Sequence, residues 1–221
     1  MKYFVFLAAL AVLQAQGQVP RLADGHPDLS GNGVWLPAHV ADLALNADAA
    51  VPFQGWARAK FQANGAAKQN DLALRCLPPG VPRIMLMARP FEIVQTPSRI
   101  LFVYEGGAHV WRQVWMDGRP HPKDPNPNWL GHSIGHWEGD TLVVDSVGFN
   151  DKTWLDDAGH PHTERLHVIE KYSRTDAQSM KYDVVIDDAG TYTKSWKSSN
   201  SFSFRRGEKL AEDICLDQIS K

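Results

Sequence analysis

Six of the nine histidines of this 221-residue chain lie between His121 and His167, in a stretch that also carries Asp140, Asp145, Asp151, Asp156, Asp157 and Glu164. Imidazoles titrate near neutral pH and are the commonest metal ligands, so the stretch is suited to moving protons or holding a metal ion. Its spacing supports two arrangements. In the first, Glu138-Gly139 is the turn between two extended runs. A two-residue loop there pairs His136 with Thr141, Ile134 with Val143 and His132 with Asp145, so that His132, His136, Thr141 and Asp145 share one face. A carboxylate opposite an imidazole fixes its tautomer and raises its basicity, as a general base requires. One extra loop residue would set His132 against Ser146 instead.

In the second arrangement His160 and His162, one residue apart, point the same way as Glu164 if Gly159 to Glu164 is extended. Such an edge, with a third histidine or carboxylate, suits zinc, copper or iron. Pro161 favours a loop instead, in which the two rings are structural or merely solvated. His121 sits in the rigid segment Arg119-Pro-His-Pro122, facing either solvent or a pocket mouth. His167, between Leu166 and Val168, reads as the polar face of a strand. Trp111, Trp115, Trp129, Trp137 and Trp154 accompany the histidines. Each is either core packing or, where exposed as Trp129 or Trp154 would be beside the histidines, a platform for a sugar or aromatic ligand. The loop Arg119 to Trp129 carries four prolines and is a stiff candidate lid.

The elements that must position these groups are mostly strands. Residues 18 to 51 are loop-rich, and Pro52, Phe53, Trp56, Lys60 and Phe61, stopped by Asn64-Gly65, predict one short amphipathic helix. A proline-rich joint, 77 to 82, leads on. From Pro90 the hydrophobic period is two, predicting strands at 91–95, 100–105, 110–116, 133–137, 141–149, 166–172, 180–186, 191–197 and 201–204. With no helix to cross between parallel strands, this is an all-β antiparallel meander, a closed barrel or a two-sheet sandwich. Gly33-Val34-Trp35 and a cysteine near the C-terminus favour a lipocalin-like barrel. The chain divides into residues 1–17 as a signal peptide and 18–221 as a single β domain, with 18–89 wrapping the strands of 90–221.

The leader is read from Lys2 and the apolar run Phe4 to Leu13, which is too short to span a bilayer. Ala15 and Gly17 suit a signal-peptidase cut before Gln18, with a cut after Ala15 as the alternative, so the expected location is secreted or periplasmic. Removing the one lysine of the leader moves the formal charge from −2 to −3. No basic stripe points to nucleic acid, and no second apolar run points to a membrane span. Cys76 and Cys215 form the simplest pairing in an oxidising compartment, a single disulfide.

Several motifs carry a resemblance: Asp28-Leu-Ser-Gly31, Arg75-Cys-Leu-Pro-Pro-Gly-Val-Pro-Arg83, Met116-Asp-Gly-Arg-Pro-His-Pro122, Gly131-His-Ser133, Trp137-Glu-Gly-Asp-Thr-Leu-Val-Val-Asp145, Gly148-Phe-Asn-Asp-Lys-Thr-Trp-Leu-Asp156 and Gly159-His-Pro-His-Thr-Glu164. The chain resembles, over nearly its whole mature length, a family of secreted bacterial proteins abundant in acidobacteria and related soil organisms. The resemblance implies export and a shared site, but no mechanism. Relatives often carry Arg at the position of His136, which shifts the expected site to His132, Asp151, Asp156, His160, His162 and Glu164, with Asn150 and Trp154 shaping the pocket.

Three functions follow as expectations. The first is an exported enzyme acting on a small organic substrate, a sugar derivative or plant aromatic, by His and carboxylate acid-base chemistry of lyase, hydratase or hydrolase type. Here His132 is the base, Asp145 or Asp156 orients it, His162 or Glu164 is the acid, Asp151 belongs to the catalytic group, and His121, Trp129, Asn150 and Trp154 contact substrate. This reading invokes no covalent nucleophile, the two cysteines being expected to pair. The second is a metal-dependent enzyme holding one divalent zinc, copper or iron ion on His160 and His162 with His132 or Glu164. The third is a non-enzymatic ligand-binding barrel.

Overall fold

The computed structural model describes residues 17–107 and 110–215, so the expected leader lies outside the described residues but for Gly17. Nine strands close into one barrel: β1 (Gly33–Pro37), β2 (Phe91–Gln95), β3 (Arg99–Tyr104), β4 (Trp111–Trp115), β5 (His132–Glu138), β6 (Thr141–Val147), β7 (His167–Arg174), β8 (Ser179–Asp187) and β9 (Trp196–Arg206). The fold is the expected all-β, lipocalin-like barrel. The helix expected from Pro52 begins later, as α1 (Gly55–Ala66), and runs past Asn64-Gly65. Phe53 instead bridges to Tyr192, and the buried Asn64 side chain donates to Gly159 O. No helix among the described residues is long and apolar enough to cross a membrane.

Alternation along each strand fills the interior. Ile100, Phe102 and Tyr104 of β3, Val168, Glu170, Tyr172 and Arg174 of β7 and Met180, Tyr182, Val184 and Ile186 of β8 are buried, while their neighbours in sequence face outward. Phe91, Phe202 and Trp35 complete the packing, so the barrel holds side chains where a carrier would hold its ligand.

Three strand expectations need correction. The segment taken as a loop wrap contains β1, which closes the barrel by pairing with both β2 and β9. Trp35 anchors it: the ring is fully buried, Nε1 donates to Leu29 O at 2.7 Å, and the Arg174 guanidinium lies 5.0 Å from the ring. The excursion through α1 then separates β1 from β2. The two strands expected at 191–197 and 201–204 are one, β9, because Thr191 to Ser195 forms a turn tied to Asp188 and Pro52. The sheet is also not wholly antiparallel. Direction cannot alternate all the way round a closed ring of nine strands, so one neighbouring pair must be parallel. That pair is β4–β5, joined by Val114↔Ser133 and Trp115↔Ile134, and Asp117-Gly118 begins the long outer connection between them.

Cys76 and Cys215 are bonded, with Cα atoms 5.6 Å apart and a sequence separation of 139. Closing a loop of that length stabilises the fold by roughly 4 to 5 kcal/mol through the unfolded chain.

Candidate functional site

The parallel junction, held by two residue pairs, is a thin seam of the barrel backbone, as is β1–β2 with one, and it is joined from within. Arg112 of β4, buried, donates from Nε to Ser133 Oγ of β5 (3.0 Å), from Nη2 to Ser146 Oγ of β6 (2.7 Å), and from Nη2 to Glu170 of β7. Tyr172 and Tyr182 donate to the other Glu170 oxygen at 2.8 and 2.9 Å. Burial works against the Arg112 charge, yet Glu170 holds the guanidinium protonated, while burial pushes both phenols well up. Arg112 Nη1 has no hydrogen-bond partner among the described residues. Gly135 permits the close approach at the seam, since a Cβ there would lie 2.7 Å from Met116 Sδ and 2.8 Å from Val114 Cγ1.

Outside the seam, where β4 runs on beyond the start of β5, lies a cleft of about 580 Å³ lined chiefly by Trp111, Gln113, Trp115, Trp129, Leu130 and His132. Trp111 is 61% exposed. The connection 116–131 borders the cleft and returns over the outer face of β5 to β7. Near its end Asn128 donates its N–H to Gly148 O and accepts from Asn150 N–H at its carbonyl. The positive φ of Gly131, 70°, then turns the chain into β5.

His132 stands on the cleft wall with its Nδ1 2.9 Å from His121 Nδ1. His121 Nε2 lies 3.1 Å from Asp145 Oδ1, and His167 Nε2 lies 2.8 Å from the same oxygen. Proton positions follow from these partners. A neutral His121 donates from Nε2 to the carboxylate, so its Nδ1 accepts. His132 Nδ1–H then donates to it, which leaves the lone pair of His132 on Nε2, an atom with no partner among the described residues. Partial burial, followed by the neighbouring His121 and Arg119, holds the His132 value below the ordinary imidazole range. The Asp145 hydrogen bond raises His167, and His167 in turn lowers Asp145.

The register behind the sequence expectation is corrected. Thr141 pairs with Glu138 across Gly139-Asp140, so Asp145 faces Ile134 and His132 faces Val147. The displacement is two residues, so parity is kept and His132, His136, Thr141 and Asp145 still share a face, the outer one. Too far from Asp145 along the strands for the direct pair expected, His132 is linked to it through His121. His136 is exposed and sits 3.4 Å from Glu138.

The remaining expected residues do not join this group. Asp156 and His160 are buried together beneath α1. His160 Nδ1 donates to Asp156 Oδ2 at 2.7 Å, that oxygen also accepts Leu43 N–H, and Oδ1 accepts the N–H of Gly159 and His160. Phe53, Phe61 and Trp196 enclose the His160 ring. His162 is buried separately: Nδ1 donates to Thr163 O at 3.1 Å and Nε2 accepts from Thr153 Oγ1 at 2.8 Å, with burial lowering its value. The expected metal edge of His160 and His162 is therefore not formed, because both ring nitrogens of His162 are already engaged. Among the described residues, a compact group of potential ligand atoms is instead Asp42, Asp156 and His160, within 4.8 Å of one another. Asp156 spends both oxygens on three backbone N–H groups and an imidazole, which is the chemistry of a structural clasp.

Asp151 and Glu164 are exposed. Glu164 borders a different depression, shared with His167 and the Pro122–Pro127 loop. Asn150, buried, accepts Lys152 N–H at its side chain and braces Asn128, one residue from Trp129. Trp129 is half-buried on the cleft wall with Lys152 Nζ 6.0 Å from its ring, and Trp154 is half-buried away from the cleft lining. His167 and Arg112 were missed as site residues. Both alternate within apolar strand runs, where a polar side chain reads as surface and a charge as an outward position.

Compared with known proteins, the chain matches no family model, no curated protein and no solved structure.

Proposed function

We propose that this protein is an exported enzyme that carries out acid-base chemistry on a small organic substrate in the β4–β5 cleft, with His132 as general base. One observation carries the reading: the chain of hydrogen bonds from Asp145 through His121 to His132 leaves a single imidazole lone pair, on Nε2, at the wall of an aromatic cleft. In an ester or lactone hydrolysis, Nε2 takes a proton from water as the oxygen attacks the carbonyl carbon. His132 can then pass its Nδ1 proton toward His121, whose cation is held beside Asp145. When the carbon–oxygen bond breaks, the proton returns to the leaving alkoxide. Elimination uses the same base on a carbon acidified by a neighbouring carbonyl, with the proton going to the departing hydroxyl. No covalent nucleophile is needed, and such a base contributes about 10²- to 10⁴-fold.

The reading is tested by assaying the purified protein against a panel of sugar lactones, sugar esters and hydroxycinnamate esters, beside His132→Asn and His160→Asn. The expected result is turnover lost in His132→Asn and kept, per folded molecule, in His160→Asn. Full turnover in His132→Asn would sink it. Export is tested separately by the N-terminal residue of protein recovered outside the cytoplasm, expected to be Gln18.

A further inference from the structure

Resting on that reading of the cleft, its lining narrows the substrate class. Three indoles, Trp111, Trp115 and Trp129, provide apolar faces. One side of Trp115 is already covered by the Arg119 guanidinium, 3.6 Å from the ring, which leaves Trp111 as the open platform at 61% exposure. Among the described residues no Asp, Glu or Lys lines the cleft, and Arg112, the charged side chain that does, is 1% exposed and committed to Glu170. Arg119 is tied to Asp117. A carboxylate-bearing ligand would therefore find no free cation in the lining itself, Lys152 standing outside it with its Nζ 6.0 Å from the Trp129 ring. The Gln113 side chain has no hydrogen-bond partner among the described residues and stands two residues from Trp111 on the same outward face of β4, about 6.7 Å along the strand. An amide beside an indole offers a donor and an acceptor to hydroxyl groups while the ring takes an apolar C–H face.

We propose that the β4–β5 cleft binds a neutral carbohydrate ring, stacked on Trp111 and held through its hydroxyl groups by Gln113, with the reacting bond facing His132. Among the described residues no carboxylate lines the cleft, so a glycosidic bond opened by two carboxylates is not the bond broken. A sugar lactone or an ester on a sugar hydroxyl meets the base instead.

The test is calorimetric titration and tryptophan fluorescence with cellobiose, maltose, gluconolactone, glucuronate and ferulate, on the wild-type protein and on His132→Asn, Trp111→Ala and Gln113→Ala. Neutral sugars are expected to bind the wild type and His132→Asn alike. Trp111→Ala should weaken them at least about tenfold, and Gln113→Ala several-fold, with melting temperatures close to wild type because both side chains are outward. The proposal is overturned if neutral sugars do not bind at tens of millimolar, if glucuronate or ferulate binds while they do not, or if neither substitution changes their affinity. Sugar binding together with undiminished turnover in His132→Asn would leave this proposal standing and remove the acid-base reading.

Discussion

Two groups of histidine and aspartate lie within the same short stretch of chain and are used in opposite ways. In the connection between β6 and β7, the Asp156 oxygens and both nitrogens of His162 meet neighbouring donors and acceptors, and Phe53, Phe61 and Trp196 close over His160. On the outer face of β5 to β7, His121, His132, Asp145 and His167 form a chain with two unspent end nitrogens among the described residues, His167 Nδ1 and, beside the cleft, His132 Nε2. A buried polar group must be paired or it costs free energy, so the first group rigidifies the loop it belongs to. A half-exposed chain can leave one acceptor for a substrate. Residue type does not separate the two roles. The number of uncommitted atoms does.

Four substitutions would break or sharpen this contrast. His132→Asn should lower turnover by about 10²- to 10⁴-fold, equivalent to about 3 to 5 kcal/mol of barrier, with urea unfolding unchanged. Asp156→Ala should do the reverse: loss of about 3 to 5 kcal/mol of unfolding free energy, since four donors lose their acceptor, with turnover per folded molecule retained. His121→Asn should slow turnover by about ten- to hundredfold and move the pH–rate profile. A base works in its neutral form, so activity is lost as pH falls through the His132 value, which lies below the ordinary range. His121 helps hold the His132 value down, so its replacement moves that acid limb to higher pH, and an unmoved limb would separate the two rings.

The smallest effect expected is at His167, whose folded value is raised by Asp145. A raised imidazole contributes stability below its unfolded value, near pH 6.5, and loses it as pH rises through the folded value. His167→Asn should therefore cost about 0.5 to 1 kcal/mol at pH 5.5, discounted for partial exposure, and almost nothing at pH 9, as read from urea unfolding at the two pH values. A cost independent of pH would mean that His167 acts by packing.

Most strands, the disulfide and the sharing of one face by His132 and Asp145 were legible from alternation, cysteine count and parity. These are local or pairwise properties, and a register displaced by two residues leaves them intact. The meeting of His121 with His132 was not legible, since His121 comes from a proline-rich connection whose path depends on where β5 begins. Arg112 stayed hidden for a related reason: a charge on a strand reads as outward until Ser133, Ser146 and Glu170 on three other strands are seen to receive it.

Composition, period-two patterning, Gly33-Val34-Trp35 and the two cysteines were enough for a stapled all-β fold, barrel or sandwich with the barrel favoured, because backbone alternation and loop closure are written in neighbouring residues. The parallel β4–β5 seam, the cleft outside it and the split of the histidines into a spent group and an unspent chain arose only on folding. The seam follows from closing an odd number of strands, a condition on the whole ring that no single segment records, and the other two depend on where the long connections cross that ring.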